Sequence, residues 1–514
     1  MIFFLIFHSF SYSIDCINDV IITEGKILIE KDVTELRGPI YDFEHCKDKI
    51  ISLRFEEGSK IVKIGSSIFS GTSIESVDFS ECKELKVLDY SIFYLCKLLK
   101  TVKLPPNIER IGRDCFSGSK NLTTIDLPGS LVTLGSYVFY NSGLTTVNFL
   151  NESKLKTIGE SCFQSNRNLT SIDIPDSVVT IGPSAFSICG LTTIKISPNS
   201  KLETIAEYGF NSNKLISIDL PDSVVTLGFK AFYYNRLTTI NISPNSKLET
   251  IGEHCFDSTN IYSIFIPKSV NSMPSSAFFE CQFIENITVD KENTNYKSDS
   301  TSVYSGTDNS TLFRVFVSVS GEYIVPSYVT TISDYCFYYC VNITSIQTNN
   351  DITSIGQKAF YNCQSLTEIT FPSKINNIGS QAFRYCTNLN KIKFLNNTNT
   401  ITIDGIENRI NIYNIYIPGN FNISSTSSSK IPKGSHLYIT KDTILSESCK
   451  TFFGNKSVYV HCYNMFNISH EITKDVVDHI AISISFKTHE SKDDRVYYQT
   501  KCFHLVSLIH NIIT

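Results

Sequence analysis

The residues in this 514-residue chain that could do chemistry are its cysteines and a group of histidines near the C-terminus. Seven of the ten histidines lie beyond residue 430, in the same segment as Cys449, Cys462 and Cys502. Both residue types bind zinc, but zinc sites place their ligands at short, recurring spacings that this segment lacks. We therefore predict no metal site and no cofactor, and interpret the following as surface histidines: His436, His461, His470, His479, His489, His504 and His510.

Motifs of catalytic and nucleotide-binding sites are also missing. The pair His470 and Glu471 lacks the second histidine of a zinc-protease helix, and no phosphate-binding glycine loop, nucleophile elbow or calcium loop occurs. We therefore predict no catalytic residue and no enzymatic activity, and an enzyme in the C-terminal segment is the weakest hypothesis. The formal net charge of −5 argues against a nucleic-acid binder that works through phosphate contacts.

Twelve of the 16 cysteines recur at two positions beside a repeated phenylalanine. One set lies directly before it, where other copies carry alanine, and the other set lies three residues after it. This placement predicts small buried slots and free thiols, although a bridge between successive copies stays open for Cys340, Cys363 and Cys386. If the chain is secreted, Cys449 and Cys462 are the candidate disulfide, because they flank a short hairpin-like stretch.

The repeat itself is the strongest signal in the sequence. It reads I-G-x-x-[AC]-F, then about five residues, then L-T-x-I-x-[LIF]-P. The anchoring phenylalanine recurs in steps of 22 to 24 residues, with one gap of 59, at Phe69, Phe93, Phe116, Phe139, Phe163, Phe186, Phe210, Phe232, Phe256, Phe278, Phe337, Phe360 and Phe383. A longer period of 46 residues also shows, because PDSVVT begins at both Pro175 and Pro221. Such periodicity predicts a solenoid of stacked units.

Each unit contains one clear strand. In L-T-x-I-x-L, the side chains of Leu122, Ile125 and Leu127 should point inward, while Thr124 and Asp126 face outward. The proline that often follows ends the strand, because it cannot donate to a ladder. We predict that these strands align into one parallel sheet, in a strand-rich solenoid of about 23 residues per repeat with little helix and a small β-rich C-terminal region.

These units resemble the leucine-rich repeats of the BspA-like class, with IGQKAFYNCQSLTEITFP from Ile355 to Pro372 as a clear example. The resemblance covers about residues 40–395, and the N-x-x-Y segment from Asn293 to Tyr296 resembles a family variant that precedes a looped-out pair of strands. The resemblance implies a leucine-rich-repeat fold. It also implies a secreted or surface-exposed protein connected with adhesion and antigenicity, like the surface antigens of parasitic protists.

The predicted organisation follows from the repeat and the ends. Residues 1–13 are a predicted signal peptide, with an apolar run from Ile2 to Phe7 and a cleavage site before Ile14; an apolar first strand is the alternative. Residues 14–40 form an N-terminal cap and 41–395 the solenoid, with an inserted loop at about 290–325. Residues 396–429 are a degenerate repeat and linker, and 430–514 a C-terminal cap or small β module. No segment is predicted to span a membrane.

The outward strand positions form the candidate binding face, on the side predicted to be concave. It comprises Thr124, Asp126, Thr146, Asn148, Ser171, Asp173, Thr193, Lys195, Ser217, Asp219, Tyr262 and Phe265. The alternative is a plain solvated sheet face, since threonine is a good strand former. Candidate glycosylation sites are the sequons at Asn121, Asn168, Asn241, Asn286 and Asn342, and glycan at Asn241 or Asn286 would obstruct this face.

Two functional hypotheses remain. The first is a secreted or cell-surface, adhesin-like antigen that recognises host or matrix proteins. The second is a cytoplasmic leucine-rich-repeat scaffold for protein–protein interaction. In both the partner is a protein, because a solenoid offers a broad rigid surface rather than a small pocket.

Overall fold

The computed structural model of the chain describes residues 12–13, 26–37, 50–150, 152–395, 400–403, 414–417, 422–424, 436–440 and 459–463. The chain divides into two compact units. Unit 1 comprises Met1–Phe283 with Thr288–Asn293, and unit 2 comprises Ile284–Ile287 with Thr294–Thr514. Within the described ranges, no helix is long and apolar enough to cross a bilayer. The only helical element there is a 3-10 turn at Ser275–Phe278.

Unit 1 is a parallel β-solenoid in which each coil has three sides. One side carries a long strand, whose alternating apolar residues face inward as the repeat predicts. The long strands are Lys26–Ile29, Ser52–Phe55, Ser76–Asp78, Thr101–Lys103, Thr124–Leu127, Thr146–Phe149, Ser171–Ile174, Thr193–Ile196, Ser217–Leu220, Thr239–Ile242 and Ser263–Ile266. One more strand, Asn286–Val289, contains the boundary between the units.

The second side carries a short strand, just before the G-x-x-x-F motif. These strands are Glu35–Arg37, Lys63–Ile64, Val87–Leu88, Arg110–Ile111, Thr133–Leu134, Thr157–Ile158, Thr180–Ile181, Thr204–Ile205, Thr226–Leu227 and Thr250–Ile251. Tyr12–Ser13 pairs with the first of them. The prediction of a strand-rich solenoid with little helix is confirmed. The expected single parallel sheet divides on the long-strand side into four groups of paired strands, and the short strands add a second ladder that two-residue strands are too short to show as a period in the sequence.

The third side, which we call the turn side, is the G-x-x-x-F segment. Here the backbone is left-handed two residues before and two residues after the anchoring phenylalanine, as at Asp114 (φ 56°) and Gly118 (φ 76°). The freed N–H groups donate to the next coil, from Asp114 to Ser136 O at 3.0 Å and from Phe116 to Val138 O at 2.9 Å. Neighbouring coils are thus bonded along the turn side, and the short strands from Val87–Leu88 to Thr250–Ile251 form one continuous ladder, whereas the long strands pair in four separate groups.

The anchoring phenylalanines fill the centre of the coils. From Phe69 to Phe278, successive rings stack with centroids 5.1–6.0 Å apart. All of them are buried. Burying a phenylalanine contributes about 1.5–3 kcal/mol, so this column is a main source of stability.

A polar side chain three residues after each anchoring phenylalanine ties neighbouring coils together. Cys189 Sγ donates to the carbonyl of Phe163 at 3.1 Å, and Asn213 Nδ2 donates to that of Phe186 at 2.8 Å. We call this row the polar ladder; in unit 1 it comprises Thr72, Cys96, Ser119, Ser142, Asn166, Cys189, Asn213, Asn235, Thr259 and Cys281. The predicted cysteine slot is therefore one version of a hydrogen-bonding position, since cysteine, serine, threonine and asparagine all donate there.

Unit 2 continues the same construction after an insertion. Tyr296–Ser298, Ser302–Ser305 and Thr311–Val315 form an antiparallel meander, and the last strand joins the short-strand sheet. The remaining short strands are Thr331–Ile332, Ser354–Ile355, Asn377–Ile378, Thr400–Ile403 and Asn422–Ser424. The long strands are Gly321–Ile324, Ile343–Gln347, Glu368–Phe371, Lys391–Phe394, Asn414–Ile417, His436–Thr440 and Tyr459–Tyr463.

Coil-like pairing extends into the stretches predicted as ends. Lys26–Ile29, within the predicted cap, pairs in parallel with Ser52–Phe55. At the other end, His436–Thr440 pairs in parallel with Tyr459–Tyr463. The predicted signal peptide, apart from Tyr12–Ser13, and most of the predicted linker and C-terminal module lie outside the described residues.

Candidate binding surface

The outward residues of the long strands in unit 1 form one surface, the long-strand face. Within Thr124–Leu127, Thr124 and Asp126 are exposed while Ile125 and Leu127 are buried. Thr124–Leu127 pairs in register with Thr146–Phe149, Ser171–Ile174 with Thr193–Ile196, and Ser217–Leu220 with Thr239–Ile242, so equivalent residues stand side by side within each of these pairs. Ten predicted binding residues are exposed on these rows: Thr124, Asp126, Thr146, Asn148, Ser171, Asp173, Thr193, Lys195, Ser217 and Asp219.

Carboxylates on this face are paired with the following coil. Asn148 Nδ2 donates to Asp126 Oδ1 at 2.8 Å, and Lys195 Nζ lies 3.6 Å from Asp173 Oδ2. Along this row, an aspartate on one coil alternates with a lysine or an asparagine on the next. The row is Asp78, Lys103, Asp126, Asn148, Asp173, Lys195, Asp219 and Asn241. Exposed pairs contribute only about 0–1 kcal/mol, so their main effect is to orient these side chains rather than to hold the fold.

One carboxyl in this row has a shifted pKa. Burial would raise the pKa of Asp78, but hydrogen bonds from Ser80 and from Lys103 outweigh it and hold the pKa below its ordinary value. The Asp78 carboxylate is therefore charged at neutral pH and keeps Lys103 at 3.0 Å.

Tyr262 and Phe265, the remaining predicted binding residues, lie at one end of the face. Tyr262 is exposed and its ring lies 5.8 Å from that of Phe283, which is also exposed. Phe265 is half-buried. These aromatic rings form a small apolar edge on an otherwise polar surface.

The candidate glycosylation sites are all exposed in the structure: Asn121, Asn168, Asn241, Asn286 and Asn342. Asn121 and Asn168 lie in the turns before long strands, whereas Asn241 is on the face itself. The Nδ2 group of Asn241 donates to Asp219 Oδ1 at 2.6 Å, so a glycan on this nitrogen would compete with that hydrogen bond.

Eleven cysteines of the coils between residues 82 and 386 are buried free thiols. These are Cys82, Cys96, Cys115, Cys162, Cys189, Cys255, Cys281, Cys336, Cys340, Cys363 and Cys386. Burial raises the pKa of Cys96 to about 11 and that of Cys189 to about 12, so both are protonated at neutral pH. A buried, protonated thiol is a poor nucleophile. The prediction of buried thiols is thus confirmed for these positions.

The predicted disulfide partner Cys449 lies outside the described residues, and Cys462 lies on the strand Tyr459–Tyr463. Of the C-terminal histidines, His436 and His461 lie on strands and the others fall outside the described residues. Across the part of the chain that the structure describes, no group of three or more His, Cys, Asp or Glu side chains is placed to hold a metal ion.

The sequence analysis missed an aromatic row on the turn side of unit 1. Tyr234 is 64% exposed and Tyr90 is 57% exposed. The signal was present in the repeat, because these residues all lie within three positions of an anchoring phenylalanine: Tyr90, Tyr94, Tyr137, Tyr140, Tyr208, Phe229, Tyr233, Tyr234, His254 and Phe279.

Comparison with known proteins supports the repeat assignment. The family model for a BspA-type leucine-rich repeat region of six copies matches residues 26–144, 86–202, 195–305 and 314–431, well over half of the chain. No curated protein is similar enough in sequence to count as a match.

Among solved structures, a leucine-rich repeat protein from Eubacterium ventriosum is 21% identical, with a TM-score of 0.42 over 61% of this chain and 81% of its own. A leucine-rich repeat protein from Bacteroides ovatus is 19% identical, with a TM-score of 0.40 over 76% and 87%. The pneumococcal vaccine antigen PcpA is 18% identical, with a TM-score of 0.38 over 75% and 91%.

The family assignment therefore rests on the family match and on the coil itself. The matched ranges contain the anchoring phenylalanines, the long strands and the polar ladder described above. This chain belongs to the BspA-type leucine-rich repeat family.

Proposed function

We propose that this chain is a non-enzymatic, secreted or cell-surface protein that binds host or matrix proteins through the long-strand face, as an adhesin-like antigen. The observation that carries the proposal is the exposure of polar side chains on successive long strands, in register within each bonded pair. A surface of this kind suits a protein partner, which can make many contacts along successive coils.

Rigidity supports binding at this face. The backbones of successive coils are hydrogen-bonded along the turn side and the short-strand side, and the pairs Asp126–Asn148 and Asp173–Lys195 orient the charged groups in advance. A partner therefore has to immobilise few groups, and less binding free energy is lost to ordering.

Secretion is supported by features of the sequence. The apolar run from Ile2 to Phe7 is typical of a signal peptide, and five sequons lie on exposed asparagines. Glycan on Asn121, Asn168 and Asn342 would leave the outward strand rows open, whereas glycan on Asn241 or Asn286 would cover part of them.

The experiment is a binding titration of the full-length protein against immobilised laminin and fibronectin. The double variant Asp173→Lys and Asp219→Lys reverses two charges on the long-strand face, and we expect it to weaken binding about tenfold or more. The matched control is Glu203→Lys with Glu249→Lys, which makes the same charge change at exposed residues beside the short strands.

Loss of binding in the first variant but not in the control supports the proposal. Equal loss in both would indicate a net-charge effect and contradict binding at this face. Failure of the unmodified protein to bind either probe contradicts recognition of these matrix proteins.

A cytoplasmic scaffold is the second candidate. The eleven free thiols from Cys82 to Cys386 favour it, because a reducing compartment keeps thiols free. Protease shaving of intact cells with N-terminal sequencing separates the two candidates. A surface-accessible chain that begins near Ile14 supports secretion, and a protected chain that begins at Met1 supports the scaffold.

A further inference from the structure

The turn side of unit 1 carries a continuous aromatic cluster on four successive coils, those of Phe210, Phe232, Phe256 and Phe278. We call it the turn-side aromatic surface; it comprises Tyr208, Phe229, Tyr233, Tyr234, His254 and Phe279. Its rings meet edge to face, with centroids 5.3 Å apart for Tyr208 and Phe229, 6.0 Å for Phe229 and His254, and 5.6 Å for His254 and Phe279. Aromatic clusters of this kind are typical of binding hot spots.

The backbone holds these side chains in place. Tyr208, Tyr234 and His254 have φ values of 55°, 56° and 55°, which belong to the left-handed region. The N–H of Tyr208 donates to Phe229 O at 2.8 Å, and that of Tyr234 donates to Asp257 O at 3.0 Å. The rings are thus presented by a fixed backbone, and Tyr234 is 64% exposed.

Carboxylates surround this surface. Phe229 occupies the position that Glu207 and Glu253 occupy on the coils either side, and both glutamates are exposed. Ser258 Oγ lies 2.8 Å from a carboxylate oxygen of Asp257 and equally 2.8 Å from one of Glu280.

The pKa of one tyrosine on this surface is raised in part by this negative charge. Burial raises the pKa of Tyr233, and the charges of Asp257 and Glu280 raise it further. Lys230 is the cation that lies over the rings, with Nζ 5.2 Å from the Phe229 centroid and 4.6 Å from that of Tyr233. Asp257 is buried and its Oδ2 lies 3.1 Å from His254 Nδ1, so the exposed carboxylates are those of Glu207, Glu253 and Glu280, which still outnumber this lysine.

We infer that the turn-side aromatic surface is a docking site for an arginine- or lysine-bearing segment of a protein partner. The exposed ring of Tyr234, with half-buried rings and exposed carboxylates beside it, attracts a cationic side chain both by cation–π contact and by charge. Arginine fits best, because its planar guanidinium stacks on a ring while its N–H groups reach a carboxylate. The local negative charge therefore favours a partner segment that carries arginine or lysine.

This site goes beyond the proposed function, because it lies on a different side of the coil from the long-strand face. Variants of the two surfaces therefore report separately. A protein that fails to bind laminin or fibronectin can still pass the test below, and the reverse is also true.

The test uses the full-length protein and a fluorescein-labelled peptide of glycine and serine that carries several arginines. Two matched peptides replace every arginine with citrulline, which keeps the shape but removes the charge, or with glutamate. Fluorescence anisotropy gives the dissociation constants. We expect the arginine peptide to bind more tightly than the other two.

Tyr234→Asn removes the exposed ring but tolerates the left-handed backbone, and we expect it to weaken binding of the arginine peptide about 2- to 30-fold. Glu280→Gln should weaken binding and reduce its salt dependence. The control is Tyr90→Asn, which removes a comparably exposed tyrosine on a distant coil of the same side.

Weaker binding by the Tyr234 and Glu280 variants with unchanged binding by the Tyr90 variant supports the site. The inference is overturned if the arginine and citrulline peptides bind equally, if the arginine peptide does not bind, or if the Tyr234 variant retains full affinity. A thermal melt of each variant confirms that it is folded before its affinity is compared.

Discussion

Asn213 Nδ2 donates to the carbonyl of Phe186, in the preceding coil, at 2.8 Å. The same group donates to the carbonyl of Phe210 in its own coil at 3.0 Å, and Asn213 Oδ1 accepts from the N–H of Leu191 at 3.1 Å. With a further contact to Asn211 O at 3.3 Å, one buried amide thus bonds four backbone groups from two coils. This contact explains why asparagine, as well as cysteine, recurs in the polar ladder.

Removing that amide should destabilise the solenoid. In Asn213→Ala the carbonyl of Phe186 and the N–H of Leu191 lose their partner, and each buried unsatisfied group costs about 1–3 kcal/mol, whereas the carbonyl of Phe210 keeps Asn235 Nδ2 at 3.0 Å. Asn213→Ser should cost less, because serine at the equivalent position, Ser142, still reaches a phenylalanine carbonyl at 3.0 Å. Urea unfolding followed by circular dichroism measures the order, and Asn199→Ala at an exposed position is the control.

Equal midpoints for the alanine and serine variants would contradict this role of the polar ladder. The same holds if Asn213→Ala unfolds at the midpoint of the unmodified chain.

Gly143 is required by close approach rather than by backbone angle. A Cβ atom there would lie 2.0 Å from Lys120 O, a backbone atom that cannot move aside. We expect Gly143→Ala to lower the stability by about 1–3 kcal/mol, the usual effect of overpacking. The control is Gly58→Asn, where φ is 75° but no atom lies within 4 Å of a built Cβ.

Asparagine tolerates a left-handed backbone, so the Gly58 variant should melt close to the unmodified chain. Differential scanning fluorimetry compares the two, and a Gly143 variant as stable as the Gly58 variant would show that the coils can separate at Lys120.

The buried thiols predict how stability depends on pH. The pKa of Cys96 is raised from 9.0 to about 11 and that of Cys189 from 9.0 to about 12, in both cases chiefly by burial. Below pH 9 these thiols stay protonated in both the folded and the unfolded chain, so they contribute nothing to the pH dependence of stability. Above pH 9 only the unfolded chain ionises, and stability falls as pH rises toward the folded pKa.

Urea midpoints across the neutral to alkaline range check the trend. The variant Cys189→Asn, which places a residue of the ladder in the same slot, should lose stability less steeply at alkaline pH. In parallel, a thiol reagent should label these cysteines slowly in the native chain and fast in urea. Fast native labelling would contradict their burial.

The 46-residue period predicts which deletion the fold tolerates. Removing 175–220 joins Ile174 to Pro221 and brings Thr239–Ile242 beside Ser171–Ile174, so that Asn241 takes the place of Lys195 beside Asp173. The strand pairs and the polar ladder then keep their register. We expect a folded, shorter solenoid with a single cooperative unfolding transition.

Removing 175–186 is the matched disruption, because it cuts half a coil and takes out an anchoring phenylalanine. Circular dichroism and limited proteolysis should show loss of structure in this variant alone. Equal damage in both deletions would mean that the two-coil unit is not interchangeable.

Much of the fold was predictable because it repeats. The step from Phe116 to Phe139 specifies the coil, and the alternation in Thr124–Leu127 specifies which strand residues are buried. The outward rows of the candidate face follow from the same alternation, and the buried cysteines follow from their place beside the phenylalanine.

The short strands could not be predicted from the sequence, because a strand of two residues is too short to show alternation of apolar and polar residues. The meander Tyr296–Val315 was only partly visible, because the sequence indicated a looped-out pair whereas the structure has three antiparallel strands, of which the last joins the short-strand sheet.

By itself the sequence determined the repeat length, the inward side chains and the family, since each depends on residues within one coil or on its recurrence. Only the tertiary structure decided what meets across coils. Residues one coil apart, such as Phe229 and His254 or Asn213 and Phe186, become neighbours because stacked backbones lie about 5 Å apart. The polar ladder and the turn-side aromatic surface arise from that stacking, in which identical local motifs acquire different neighbours.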